Sequence, residues 1–178
     1  MTMLVWDLET SGLPLHEDAP PDRQPRIIEF GGVMVSKTGV VLEEISQLID
    51  PEQLITDEIT KITGLKDADL VGKPTFASAL ARLRGVFADA EAMLTHNLPF
   101  DEGILRMELK RVGALHDWPW PARKFCSVQL YRDEWGRNPR LIELYERKLG
   151  KAYPQTHRAL DDARALAEVV IAEELYAL

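Results

Sequence analysis

Hydrophobic residues along the first fifty positions follow the continuous or alternating patterns of β-strands. The apolar run Met-Leu-Val-Trp predicts a buried strand over residues 3–8. Two further segments, residues 27–36 and 40–49, predict a hairpin around a turn at residues 37–39. The polar stretch at residues 13–25 contains four prolines and predicts a connection without regular structure.

From residue 56 onward the pattern changes to helical periodicity. Thr56 is a typical helix N-cap and Gly64 a typical helix end, so together they predict a short helix. Residues 75–88 and 99–112 predict two longer helices, separated by a short buried strand at residues 92–95.

The last third of the chain predicts one strand, at residues 124–128, and two helices. Asn138 followed by Pro139 is a typical start for the first helix, which Gly150 ends. The second helix is expected to run from about residue 159 to the end of the chain. Strands and helices in this order predict an α/β fold, a mixed sheet flanked by helices.

The chain has 178 residues, a length that suits one domain over residues 1–178, and its formal net charge is −8. The charge is uneven, because residues 106–158 contain 12 basic and 6 acidic side chains. Such a stretch can guide phosphates towards a site, although a solvated basic face without a partner has the same composition. The residues concerned include Lys110, Arg111, Arg123, Lys124, Arg132, Arg137 and Arg140.

Cysteine usage and hydropathy exclude several classes of protein. The single cysteine, Cys126, excludes an internal disulfide and favours a reducing, cytoplasmic location. Its apolar neighbours predict a buried residue rather than a nucleophile. No apolar run approaches the roughly 20 residues of a membrane helix, and the N-terminus lacks the pattern of a secretory signal.

The first candidate chemistry lies at the end of the first strand. Asp7 and Glu9 are alternate residues of that strand, so their side chains point to the same face. Two adjacent carboxylates repel each other unless a cation lies between them. The alternative is that one of them caps the turn that follows.

Two further acids lie on the apolar faces of predicted helices. Asp101 shares the apolar stripe of its helix, whereas its neighbour Glu102 faces solvent. Asp162 likewise belongs to the apolar stripe of the last helix, and Asp161 faces solvent. A buried, unpaired carboxylate is costly, and a shared metal site would remove that cost.

Together these acids form a set of hard oxygen donors, the ligands that Mg²⁺ and Mn²⁺ prefer. His157 precedes Asp162 by five residues and adds a proton acceptor that works near neutral pH. This combination indicates metal-assisted hydrolysis of phosphodiesters. The four candidate metal ligands are Asp7, Glu9, Asp101 and Asp162.

Three stretches of the chain resemble the motifs of a known family. They are residues 7–10 (Asp-Leu-Glu-Thr), 96–101 (His-Asn-Leu-Pro-Phe-Asp) and 157–162 (His-Arg-Ala-Leu-Asp-Asp). In this order they resemble the exonuclease motifs of the DEDD superfamily, in the histidine-containing (DEDDh) subclass. That subclass includes the proofreading exonuclease subunit of bacterial DNA polymerase and ribonuclease T. Residues 26–30 resemble the family's second strand, and residues 62–65 resemble a segment that contacts the terminal nucleotide.

The resemblance covers nearly the whole chain and implies a ribonuclease-H-like fold. It also implies a 3′→5′ exonuclease that uses two divalent cations, Mg²⁺ or Mn²⁺, and releases nucleoside 5′-monophosphates. Asp7 would bridge the two ions. Glu9 and Asp162 would complete one ion's site, and Asp101 would support the other. His157 would take the proton from the attacking water.

Matching positions also imply contacts to the last nucleotide of the substrate. Thr63 stands where relatives often have histidine, so contact with the base is expected to differ here. Phe100 is expected near the terminal base, with core packing as the alternative, and His96 is expected to brace its loop. The substrate-binding candidates are Thr10, Ile62, Thr63, Asn97 and Phe100.

The partners implied are the 3′ ends of nucleic acid, with single-stranded DNA favoured over RNA, and a polymerase. Two alternatives remain open. One is an RNA-processing exoribonuclease, and the other is a non-catalytic module that binds nucleic acid or a polymerase.

Overall fold

The structure is a computed structural model that describes residues 2–16, 19–154 and 157–178. Its strands are β1 (Thr2–Thr10), β2 (Ile27–Ser36), β3 (Val41–Leu48), β4 (Ala92–Thr95) and β5 (Arg123–Cys126). Its α-helices are α1 (Asp57–Thr63), α2 (Asp67–Leu70), α3 (Phe76–Ala88), α4 (Leu98–Arg111), α5 (Ser127–Trp135), α6 (Leu141–Leu149) and α7 (Ala159–Ala172). A 3₁₀-helix follows at Leu175–Ala177.

Among the described residues, the five strands form one mixed sheet in the order β3-β2-β1-β4-β5. Strand β1 pairs antiparallel with β2 and parallel with β4. Strands β2 and β3 form the predicted antiparallel hairpin, and β5 extends the sheet parallel to β4. The central position of β1 gives it neighbours on both sides, which explains its continuous apolar run.

The two faces of β1 pack against different helices. Leu4 and Trp6 join a core with residues of α3 and α4. Met3 and Val5 point to the opposite face, where they pack against α7. Because side chains alternate along a strand, the polar residues that continue the series 3, 5, 7, 9 also face α7. This alternation brings Asp7 and Glu9 to the helix that carries the last motif.

Capping residues set several helix ends where the sequence predicts them. The Thr56 side chain accepts a hydrogen bond from the Ile59 N–H at the start of α1, and Gly64 ends that helix with φ 72°. Thr75 caps α3 in the same way, through the Ser78 N–H. In the connection at residues 13–25, the described residues form no helix or strand.

Several elements differ from the sequence predictions, among them β1, which continues to Thr10, and helix α2, which the sequence does not predict. Strand β5 ends at Cys126. Helix α5, which the sequence does not predict, begins at Ser127. Ser127 is buried, and its hydroxyl contacts His96. Helix α6 begins at Leu141 rather than at Pro139, because the Glu143 carboxylate accepts the Arg140 N–H at 2.9 Å and caps the helix there. Helix α7 ends at Ala172 instead of continuing to the end of the chain.

Among the described residues, no helix combines the length and the apolar character needed to cross a membrane.

Helix α7 lies very close to the sheet at Gly31 of β2. A Cβ atom on Gly31 would lie 2.1 Å from the carbonyl carbon of Ala159 and from the backbone nitrogen of Leu160. In the β1–β2 ladder Gly31 pairs with Asp7. The absent side chain therefore allows the first turn of α7 to rest on the sheet beside Asp7.

Candidate metal centre and substrate pocket

Three of the predicted carboxylates converge between β1 and the start of α7. One oxygen each of Asp7, Glu9 and Asp162 lies within 4.8 Å of the other two. All three side chains are half-buried. Asp161, the neighbour predicted to face solvent, forms an ion pair with Arg164 at 2.9 Å on the outer side of α7. Oxygen donors at this spacing suit a hard divalent cation.

The fourth carboxylate, Asp101, lies in the first turn of α4 and is only 3% exposed. It is outside the group of three, but its charge raises the pKa of Asp7 more than any other neighbouring charge does. Glu102, by contrast, forms ion pairs with Arg106 and Lys124 at the surface. The helix periodicity therefore separates the interior acid from the solvated one.

Burial raises the pKa of all four acids, and repulsion within the group raises the pKa of Asp7 and Glu9 further. Burial, followed by the charges of Asp101 and Asp162, raises the pKa of Asp7 well above its usual range. Burial and then the charge of Asp162 raise the pKa of Glu9 to about 8. Burial raises the pKa of Asp101 to about 7. Near neutral pH, a cation arriving at this centre would replace protons held by the carboxylates.

A fifth carboxylate, Glu29 of β2, lies beside the centre and is only 1% exposed. It pairs with Glu9 across the β1–β2 ladder. The Arg158 guanidinium donates two hydrogen bonds to it, at 2.8 and 2.7 Å, and the Ala159 N–H donates a third at 3.2 Å. These bonds neutralise Glu29 and attach the start of α7 to the sheet. Sequence reasoning assigned Glu29 no role, although a glutamate within an apolar strand was a visible signal.

Tyr153 is a second residue of the centre that sequence reasoning missed. It lies in the connection between α6 and α7, and its hydroxyl donates a short hydrogen bond to Oδ1 of Asp162. Burial and the contact with Asp162 raise the pKa of Tyr153, so its hydroxyl remains a donor. No sequence pattern links a tyrosine in a connection to an acid nine positions later.

His157 lies immediately before Arg158, the N-cap of α7, and is exposed. Its φ of 46° is left-handed, a conformation uncommon outside glycine. Burial raises the pKa of Asp162, and the Tyr153 hydrogen bond and the charge of His157 oppose that shift. His157 thus lies within electrostatic reach of the carboxylate centre.

His96 is held away from this chemistry. Its Nδ1 contacts the Ser127 hydroxyl at 2.8 Å, and its Nε2 contacts the Pro139 carbonyl oxygen at 3.1 Å. Burial lowers the pKa of His96. The ring therefore joins the start of α5 to the connection before α6, which is the bracing role that the sequence predicts.

A pocket of about 580 Å³ opens beside Glu9. The structure brings four of the five substrate-binding candidates to this pocket, and Asn97 lies outside its lining. The Thr63 hydroxyl is turned inward, since it donates to the Ile59 carbonyl oxygen at 2.9 Å and accepts the Leu65 N–H at 3.2 Å. The lining residues are Leu8, Glu9, Thr10, Ser11, Gly12, Leu13, Leu15, Thr56, Glu58, Ile59, Ile62, Thr63 and Phe100.

The basic stretch at residues 106–158 is partly neutralised by ion pairs. Lys124 pairs with Glu102, and both Arg137 and Arg140 pair with Glu143. Arg111 pairs with the buried Glu108 at 2.5 Å. Because these ion pairs neutralise many of the basic side chains, the stretch fits a solvated basic face better than a surface that guides phosphates strongly.

The fold is that of a ribonuclease-H-like exonuclease. The chain matches a crystal structure of the nuclease domain of 3′hExo, which is described as a DEDDh family member bound to rAMP. The match covers 98% of this chain and 92% of that chain, with a TM-score of 0.77 and 19% sequence identity. A second match, to a structure of exonuclease I, covers 98% of this chain and 41% of that chain, with a TM-score of 0.79 and 20% sequence identity.

Residues 4–170 match the family model described as Exonuclease. The chain therefore belongs to the exonuclease family, and the membership predicted from the three motifs is confirmed. DNA polymerase III subunit epsilon of Treponema pallidum is 29% identical over 93% of this chain and 73% of its own length. The PolC-type DNA polymerase III of Thermotoga maritima is 32% identical over 96% of this chain.

The chain spans only 12% of the length of the Thermotoga polymerase. It spans 26% of the length of a further curated relative.

Proposed function

We propose that the protein is a metal-dependent 3′→5′ exonuclease that releases nucleoside 5′-monophosphates from nucleic acid. The observation that carries the proposal is the convergence of Asp7, Glu9 and Asp162 within 4.8 Å, next to the buried Asp101. A pocket large enough for a nucleotide begins at Glu9. Membership of the exonuclease family supports the same conclusion.

The donor set fits two divalent cations, Mg²⁺ or Mn²⁺. All the ligands are carboxylate oxygens. Burial, followed by repulsion from neighbouring carboxylates, raises the pKa of Asp7 and Glu9, and a bound cation would offset that repulsion. Asp7 would contribute to both ions, because it belongs to the group with Glu9 and Asp162 and is also the acid on which the charge of Asp101 acts. Bound ions would position the scissile phosphate and stabilise the attacking and leaving oxygens.

His157 is proposed to accept the proton of the attacking water. It is exposed and lies beside Asp162 at the start of α7, so its ring can exchange the proton with solvent. Only the neutral imidazole can accept a proton, so the role requires the unprotonated ring.

The pocket beside Glu9 is proposed to receive the terminal nucleotide. Ile62 and Phe100 supply apolar surface for a base. Thr10 and Thr63 line the same pocket, and both of their hydroxyls already donate hydrogen bonds to backbone carbonyl oxygens. Asn97, at the start of α4, is proposed to contact the nucleotide from outside the lining.

DNA is the favoured substrate, and a polymerase is the favoured partner, because relatives of this chain are DNA polymerase III proteins. RNA is the second candidate, supported by the structure of a 3′hExo nuclease domain bound to rAMP. The single cysteine supports the cytoplasm as the location. Residues 1–178 are proposed to form one exonuclease domain.

The test is product analysis on DNA and RNA oligomers of one sequence, labelled at either end, with Mg²⁺, with Mn²⁺ or with a chelator. Mononucleotides should appear from the 3′ end only when metal is present. Asp162→Asn should abolish release, and Asp161→Asn should retain it because Asp161 pairs with Arg164 outside the centre.

Internal cleavage, release from the 5′ end or full activity in chelator would contradict the proposal. Binding of the oligomer without any release in either metal would instead support the non-catalytic alternative.

A further inference from the structure

Tyr153 occupies the connection between α6 and α7, four residues before His157. Its ring packs edge-on against Tyr145 of α6, with ring centroids 5.3 Å apart and an interplanar angle of 89°. Its backbone N–H donates to Oε1 of Glu146 at 3.3 Å. These contacts hold Tyr153 against α6 independently of the carboxylate centre.

From this fixed position the Tyr153 hydroxyl donates to Oδ1 of Asp162. Asp162 lies in the first turn of α7 and faces two other carboxylates, Asp7 and Glu9. Repulsion from those acids favours rotation of the Asp162 side chain away from them. The hydrogen bond opposes that rotation, because it fixes one oxygen of the Asp162 carboxylate and thereby restricts the orientation of the group.

We propose that Tyr153 is a positioning residue of the metal centre, whose hydroxyl orients Asp162 to bind a divalent cation together with Asp7 and Glu9. The inference rests on the proposed function, because it requires a cation at that centre. Carboxylates that bind metals are commonly oriented by hydrogen bonds from a surrounding residue, and loss of such a partner typically costs about 10–100-fold in metal affinity or activity.

Tyr153 and Arg158 lie on either side of His157 in the sequence, and each bonds to a carboxylate at or beside the centre. Tyr153 attaches the connection between α6 and α7 to Asp162 on one side, and Arg158 attaches it to Glu29 on the other.

The test compares Mn²⁺ binding by the wild type, Tyr153→Phe and Tyr145→Phe in calorimetric titrations. Tyr153→Phe keeps the ring that packs on Tyr145 and removes only the hydroxyl. Its Mn²⁺ affinity should fall by roughly 10–100-fold. Tyr145→Phe is the matched control, because the Tyr145 hydroxyl contacts Oε2 of Glu168 at 3.0 Å rather than a carboxylate of the centre. Its Mn²⁺ affinity should equal that of the wild type.

A second readout is the Mn²⁺ concentration that gives half-maximal nucleotide release. It should rise in Tyr153→Phe by about the factor lost in affinity, whereas a purely structural defect would lower the rate at all Mn²⁺ concentrations. Equal Mn²⁺ affinity in the wild type and Tyr153→Phe would overturn the inference and leave the proposed function intact. Absence of Mn²⁺ binding by the wild type would overturn both.

Discussion

Gly31 of strand β2 and Ala159 of helix α7 approach each other so closely that no side chain fits between them. A Cβ atom on Gly31 would lie 2.1 Å from the carbonyl carbon of Ala159. Gly31 is also the ladder partner of Asp7, and Ala159 is three residues before Asp162. The contact therefore sets the distance between the strand and the helix that share the carboxylate centre.

Gly31→Ala is expected to displace the first turn of α7, because the new methyl group would meet backbone atoms that cannot rotate away. The melting temperature should fall, with overpacking costing about 1–3 kcal/mol, and nucleotide release should be largely lost. Thermal unfolding and an exonuclease assay measure the two effects.

Gly85→Ala in helix α3 is the matched control, since nothing lies within 4 Å of a Cβ at that position. Replacing glycine by alanine within a helix should leave stability unchanged or raise it by up to about 1 kcal/mol. Wild-type stability and activity in Gly31→Ala would show that α7 does not depend on this contact.

The raised pKa values predict an unusual pH dependence for the metal-free protein. Glu9, with a pKa of about 8, and Asp101, with a pKa of about 7, hold protons in the folded state that they release in the unfolded chain. Between about pH 4 and pH 8 the folded state binds more protons, so the free energy of unfolding should decrease as the pH rises.

Denaturant unfolding in chelator across this pH range measures the slope. Glu9→Gln should reduce the slope, because the amide does not titrate, and saturating Mn²⁺ should stabilise the protein most at the alkaline end. Stability in chelator that rises steadily from pH 5 to pH 8 would be the opposite of this expectation.

His157→Ala should lower kcat by roughly 10²–10⁴-fold, the usual range for loss of a general acid or base. Metal binding should persist, because the carboxylates are unchanged. In the wild type the rate should rise with pH as the ring loses its proton. Steady-state kinetics and a Mn²⁺ titration on the same preparation separate the two effects.

His116→Ala provides the comparison, as His116 is exposed and distant in sequence from the three motifs. It should retain the wild-type rate. A His157→Ala variant with most of its activity would remove the proposed proton acceptor from the mechanism.

Unpaired 3′ ends are expected to be degraded faster than matched duplex ends. The terminal nucleotide must leave its partner strand to enter the pocket beside Glu9, and unpairing costs a few kcal/mol. The net charge of −8 offers little long-range attraction to offset that cost. Timed release from oligomers that differ only in the pairing of their last two or three residues gives the comparison, and equal rates would refute the expectation.

Sequence periodicity predicted the residues whose positions depend on local geometry. Asp7 and Glu9 follow from strand alternation, and Asp101 and Asp162 follow from helix periodicity, so each could be assigned to a face without knowing the fold. The same reasoning separated Asp161 from Asp162, because neighbouring residues on a helix point in directions about 100° apart.

Contacts between distant segments were not predictable in this way. The start of α5 depends on a bond between Ser127 and His96, which lie 31 positions apart. The pair of Glu29 and Arg158 joins residues 129 positions apart. Tyr153 lies in a connection, and its ring packs on α6 where its hydroxyl reaches Asp162. Periodicity predicts the faces of helices and strands, but it does not predict the course of a connection between them.

The separation of the carboxylates along the chain has a consequence for the order of folding events. Asp7 and Asp162 are 155 positions apart, and the strand that carries Asp7 pairs in parallel with β4, which requires an intervening crossover. Contacts of such long sequence separation form slowly and late. Refolding protein should therefore gain its capacity for Mn²⁺ only after the sheet is complete and α7 has docked on it, which makes metal uptake a kinetic marker of the final step of folding.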